Sequence, residues 1–164
     1  NKMPNRWCSI EFIVDCEHLL SVFENNRQLA KVYVNEKYKE KQPISLLNIK
    51  DSYIESLLDK FNYVRDGYFL SSGGYKPHID DRRTCVLTFT LKNLYNVPLS
   101  FYDRKESANI IESVDMTHPF LWDTTLLHGS EESPEERIFY QIEFEDNQPY
   151  EYYYNEFISG RLIK

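Results

Sequence analysis

Cysteine is scarce. Cys8, Cys16 and Cys85 are three in number and widely spaced, so neither a disulfide framework nor a zinc knuckle can be read from them, and reduced, packed thiols are expected. Glycine (5) and proline (7) are few and unclustered, which excludes collagen-like repeats, low-complexity segments and a flexible linker that would divide the chain. Basic residues are in deficit: 19 Lys and Arg face 26 Asp and Glu, a formal net charge of −7. Phosphate recognition draws its affinity from clustered Lys and Arg, so a broad nucleic-acid-binding surface is disfavoured. No apolar run approaches the roughly 18 residues needed to cross a bilayer, and Asn1 to Asn5 carry no signal-peptide pattern. The expectation is a cytoplasmic protein with no membrane partner.

Aromatics, by contrast, are abundant: 13 Tyr, 10 Phe and 2 Trp make 15% of the 164 residues, and many fall in alternating runs that favour strands. A chain of this length is expected to form a single domain and to bury about two-thirds of its unfolded surface. Within it, residues 1–67 read as a helical and strand elaboration, 68–144 as a β core, and 145–164 as a C-terminal tail. Trp7 to Val14 is apolar enough for a strand. Asp15 then sits where an N-cap would open a helix through His18, Leu19, Val22 and Phe23, ending near Asn25-Asn26. Ile54, Leu57, Leu58 and Phe61 recur at helical spacing behind Asp51 and Ser52, and Lys31 to Lys41 looks like a strand and a charged loop.

From about Tyr68 the pattern changes to short strands. Thr84 to Leu91 alternates, with Cys85, Leu87, Phe89 and Leu91 on one face. Leu99 to Tyr102, Ile110 to Val114, Phe120 to Trp122 and Leu126 to His128 are further candidates. In Arg137 to Phe144, Ile138, Tyr140, Ile142 and Phe144 oppose Arg137, Phe139, Gln141 and Glu143. Short strands preceded by helices predict a mainly β jelly-roll barrel whose larger sheet is covered by the helices, with the polar face of the last strand looking inward.

The informative stretch is Tyr75-Lys76-Pro77-His78-Ile79-Asp80. On an extended backbone His78 and Asp80 project from the same side and can meet one ion. His128, in Leu127-His128-Gly129-Ser130, can return to the same barrel mouth as the third ligand. Two His and one carboxylate on one face of an octahedral metal are the ligand set of non-haem Fe(II) oxygenases. Arg137, on the inward face of the last strand, supplies a fixed guanidinium suited to a two-pronged grip on a carboxylate.

Residues 68–144 resemble the double-stranded β-helix of the Fe(II)- and 2-oxoglutarate-dependent oxygenases, and Gly73-Gly74 followed by the His-x-Asp motif is especially similar to the prolyl 4-hydroxylase-like branch. The resemblance implies that His78, Asp80 and His128 ligate iron, that Arg137 pairs with the far carboxylate of 2-oxoglutarate, and that Tyr68 helps to hold this cosubstrate, with Phe69 the alternative by direct counting. O2 is then the oxidant and ascorbate an accessory reductant. Arg83 stands where the branch often has an arginine, with a structural or a catalytic role equally open. The branch usually has Lys in place of Arg137 and Gly-Gly in place of Asn96-Val97-Pro98, which bears on substrate identity. Asp80 stands where halogenating relatives have a small residue, so hydroxylation is implied. The expected reaction is hydroxylation of an aliphatic C–H, with peptidyl proline the leading substrate and a small molecule next. The rival readings are a non-catalytic jelly-roll metal-binding module and a nucleic-acid dealkylase of the same superfamily.

Several features read more plainly. His118 reads as a loop residue, Asp81 and Asp123 as solvated loop positions rather than partners of a ligand His, and Glu131, Glu132, Glu135 and Glu136 as a solvated loop. The Tyr150 to Tyr154 run reads as packing rather than a substrate groove.

Overall fold

A computed structural model describes residues 6–33, 43–104 and 109–164. Most of the expected charged loop over Lys31 to Lys41 lies outside these, although β2 (Lys31–Tyr33) supplies the strand at its start. The first strand, β1 (Trp7–Ser9), is shorter than the apolar run from Trp7 to Val14 suggested. It pairs with β9 (Phe120–Asp123), which begins just after Pro119, a residue without an N–H to extend the ladder. Past the strand, Phe12 turns in against Phe61, with ring centroids 4.9 Å apart, while Ile13 is left exposed.

Both predicted helices form where their caps place them. In α1 (Cys16–Asn25) the Asp15 carboxylate accepts from His18 N at 3.0 Å, and Leu19 and Phe23, one turn apart, are buried. In α2 (Ser52–Asp59) Asp51 accepts from Ile54 N at 2.8 Å, and Ile54 and Leu57 face inward. This helix stops before Phe61, which is taken into a β-bridge with Ile163.

The remaining strands are β3 (Ile44–Leu47), β4 (Val64–Ser72), β5 (Tyr75–His78), β6 (Cys85–Lys92), β7 (Ser100–Tyr102), β8 (Ile110–Ser113), β10 (His128–Ser130) and β11 (Arg137–Phe144). Among the described residues they form two antiparallel sheets, one ordered β1-β9-β6-β11-β4-β3-β2 and the other β5-β10-β7-β8. The chain passes back and forth between the sheets, and the result is a double-stranded β-helix. The N-terminal segment therefore supplies edge strands as well as helices to the larger sheet.

Alternation decides the layering. Leu87, Phe89, Leu121, Ile138, Tyr140 and Ile142 face the helices, where they meet Leu19, Phe23, Ile54 and Leu57 in one core. Each fully buried Leu, Ile or Phe contributes about 1.5–3 kcal/mol there. Opposite faces of the same strands send Val86, Phe120 and Trp122 between the sheets to meet Leu99, Phe101 and Val114. The tail carries α3 (Tyr150–Ile158), which buries Tyr150 and Tyr153 against the larger sheet, so these two members of the tyrosine run are packing while Tyr152 is exposed. All three cysteines are free thiols; Cys85 is buried and Cys8 half-buried, but Cys16 is exposed rather than packed. Among the described residues, no helix is long and apolar enough to cross a membrane.

Candidate metal centre

Three side chains converge at the barrel mouth. His78 ends β5 and His128 begins β10, and the two are direct partners in the register of those strands, with ring centroids 4.5 Å apart. Close approach of the strands depends on Gly129: a Cβ there would lie 2.9 Å from Pro77 N and 3.0 Å from Tyr75 O. Pro77 is tolerated because β5 is an edge strand and needs no ladder N–H on its outer side. Asp80 follows in the loop, pinned by its N–H to Thr124 O at 3.0 Å.

Asp80 Oδ1 lies 3.3 Å from His78 Nε2 and 3.4 Å from His128 Nε2. The donor atoms of the three residues all fall within 4.8 Å of one another, and among the described residues this is the group of His, Cys and carboxylate side chains placed to hold a metal. The other nitrogen of each ring is occupied: His78 Nδ1 donates to Lys76 O at 2.8 Å and His128 Nδ1 to Leu126 O at 2.7 Å. A carbonyl only accepts, so Nδ1 carries the proton and Nε2 presents a lone pair. Burial holds the His128 imidazole below its usual range despite the neighbouring Asp80, which favours the neutral, ligating form. Burial opposes ionisation of Asp80, but the adjacent His128 and His78 rings and the charge of Arg83 hold it well below the usual carboxylate range. Lone pairs of two imidazoles and one carboxylate turned toward a common point suit a divalent transition metal such as Fe(II).

The three open into a cavity of about 330 Å³. Its apolar walls come from Leu70, Leu99, Met116, Phe120, Trp122 and Phe139. The Trp122 ring stands edge-on to His128 at 4.7 Å, and its Nε1 donates to Thr88 Oγ1 at 3.0 Å. The inward face of β11 contributes Arg137, Gln141 and Glu143 to the same cavity, as the alternation implied. Arg137 is 1% exposed, donates from Nη1 to Val97 O at 3.2 Å and lies over the Phe139 ring at 5.4 Å. The Asn96-Val97-Pro98 segment thus meets the guanidinium through a backbone carbonyl.

Tyr68 and Phe69 point opposite ways. Phe69 is fully buried on the helix side against Phe23 and Tyr140, whereas Tyr68 pairs in register with Gln141. The Tyr68 hydroxyl is engaged by Arg83, lying also 3.0 Å from Glu143 Oε1 and 3.2 Å from Gln141 Oε1. Burial, together with Glu143 and Asp80, pushes its phenol above the ordinary range against the pull of Arg83. Gln141 and Glu143 are not among the candidate site residues of the sequence; they join the cavity from the polar face of β11, which the strand's alternation signals.

The plainer expectations divide. His118 stays in a loop beside Thr117. Asp123 is not a solvated loop position: it ends β9, is buried and accepts from Thr125 N at 2.9 Å, while both ligand-candidate imidazoles are oriented by carbonyls instead. Glu136 is not simply solvated: Arg27 donates to both its oxygens at 2.8 Å, and Ser71 Oγ donates at 2.8 Å.

No protein-family model and no curated protein matches the sequence. Solved structures share the fold. A prolyl 4-hydroxylase from Pseudomonas putida is 12% identical with a TM-score of 0.56, over 84% of this chain and 91% of that one. A prolyl hydroxylase from Trichoplax adhaerens, in complex with a hypoxia inducible factor oxygen degradation domain peptide fragment, is 14% identical with a TM-score of 0.61, over 85% and 84%. AviO1 from Streptomyces viridochromogenes is 12% identical with a TM-score of 0.51, over 88% and 92%. The double-stranded β-helix implied by the sequence motifs is the architecture these proteins share with this chain.

Proposed function

We propose that this protein is an Fe(II)- and 2-oxoglutarate-dependent oxygenase that hydroxylates an aliphatic C–H bond. The observation that carries the reading is the convergence of His78, Asp80 and His128 within 4.8 Å, on a cavity that also contains a buried arginine. His78, Asp80 and His128 are the proposed metal ligands. The chemistry that iron and 2-oxoglutarate supply when bound is oxygen activation coupled to decarboxylation, with succinate and carbon dioxide as products.

The chain's own residues do the rest. Lys76 O and Leu126 O orient the two imidazoles. Arg137 keeps its charge in an apolar surrounding and is the proposed partner of the far carboxylate of 2-oxoglutarate, a charge-assisted pair that a planar fork makes in two-pronged geometry. Tyr68 serves this site indirectly, through Arg83 and Gln141. The apolar walls exclude water and suit an aliphatic group brought to the metal.

Peptidyl proline is the first substrate to test, supported by the peptide held in the Trichoplax prolyl hydroxylase structure, and a free amino acid or other small metabolite is second. Free thiols fit a reducing, cytoplasmic setting. The decisive experiment is anaerobic loading with Fe(II), followed by measurement of succinate with 2-oxoglutarate, O2 and ascorbate, in the presence and absence of proline-rich peptides and free amino acids. Substrate-dependent succinate with a one-oxygen mass gain is expected. Absence of both 2-oxoglutarate binding and succinate from metal-loaded protein overturns the reading, while turnover with small molecules alone removes only the prolyl assignment.

A further inference from the structure

In the reading above Arg83 only links Tyr68 to the site, yet it also grips one of the proposed ligands. Its Nε donates to Asp80 Oδ2 at 2.6 Å, while the other oxygen, Oδ1, is the one that faces His78 and His128. Its Nη1 donates to Gln141 Oε1 at 2.9 Å and to the Tyr68 hydroxyl, and lies 3.8 Å from Glu143 Oε1. The side chain is 18% exposed, and Thr124 Oγ1 donates to the Arg83 carbonyl at 2.6 Å. A planar guanidinium held from β4 and β11 at once cannot rotate freely, so the carboxylate it holds is fixed as well.

We infer that Arg83 is the positioning residue of this site: it occupies Oδ2 and so presents Asp80 to the metal as a one-oxygen donor, while Glu143 offsets the guanidinium charge. The inference rests on the ligand assignment proposed above and deepens it by giving the carboxylate's mode of binding. A carboxylate free at both oxygens can chelate a cation through both, taking a coordination position that a cosubstrate or oxygen needs. A cation beside the ligand also weakens its hold on a second cation. Glu143, across the guanidinium, counters that effect. Arg83 is therefore committed to Asp80, which leaves the cosubstrate carboxylate to Arg137.

The test uses the full chain and the metals alone, with Mn(II) affinity and the Co(II) visible spectrum as readouts, on wild type, Arg83→Gln, Arg83→Lys and Glu143→Gln. Arg83→Gln is expected to change the Co(II) band and to bind Mn(II) about 10-fold more tightly, because the neighbouring cation is gone and Asp80 is free to bind through both oxygens. Arg83→Lys keeps the charge without the fork and should show the same spectral change. Glu143→Gln should weaken Mn(II) binding while leaving the Co(II) band in place, which separates charge from position. Wild-type affinity and spectrum in both Arg83 variants overturn the inference and leave the ligand assignment standing. Failure of wild type to take up either ion overturns the ligand assignment and the inference with it. Should Arg83→Gln not fold, the Arg83→Lys spectrum decides.

Discussion

Each imidazole of the site gives its Nδ1 proton to the carbonyl two residues back, from His78 to Lys76 and from His128 to Leu126, and this local turn aims Nε2 at Asp80. Removing either end of that arrangement has a defined outcome. His78→Ala or Asp80→Ala should abolish calorimetric binding of Mn(II) or Co(II) at micromolar metal with the circular dichroism spectrum unchanged, since neither side chain belongs to the helix-side core. Arg137→Leu should leave metal binding nearly intact but remove a charge-assisted pair of about 1.5–3 kcal/mol. Titration of the metal-loaded protein with 2-oxoglutarate should then show an affinity about ten- to a hundredfold lower.

At the scale of the element, the site depends on how closely β5 and β10 approach. Gly129→Ala would put a Cβ against the backbone of Pro77 and Tyr75, neither of which can swing aside. The cost of such overpacking is about 1–3 kcal/mol, readable as a lower denaturation midpoint, and Mn(II) affinity should fall with it because His78 and His128 separate. A different element reports on pH. Burial opposes the charge on Asp51, but the Ile54 N–H it accepts and the His18 ring 2.6 Å away hold its carboxyl below the usual range. A depressed folded pKa means a contribution that is present above the unfolded value of about 3.9 and lost as pH falls below it. Asp51→Ala should therefore cost about 1 kcal/mol near neutral pH, as loss of a helix N-cap does, and the difference from wild type should shrink between about pH 4 and pH 3 in parallel urea titrations.

For the whole molecule, a ligand that binds only the folded barrel stabilises it by mass action. Mn(II) at a hundred times its dissociation constant should add about 2.7 kcal/mol. Differential scanning calorimetry should show this as a rise of several degrees that EDTA reverses. Without metal the protein should stay folded, because the helix-side core between α1, α2, α3 and the larger sheet is complete without the ligand-candidate residues.

The sequence by itself determined the elements whose cause is local. Period-two alternation in 137–144 and in 84–91 fixed which side chains face the helices and which face the cavity, and the Asp15 and Asp51 caps placed both helices, because side-chain direction on a strand or first turn follows from backbone geometry alone. His-x-Asp was legible for the same reason. Only the tertiary structure decided what depends on register and on partners far along the chain. The pairing of Tyr68 with Gln141, and of Phe69 with the helix-side core, decided that these two neighbours lie on opposite sides of β4. Gly129 showed its purpose once Pro77 lay against it. Arg83 acquired its hold on Asp80 from Gln141, Glu143 and Tyr68, residues that β11 and β4 bring to it, and a hydrogen-bond network of that kind has no signature in spacing because each contact is made across strands.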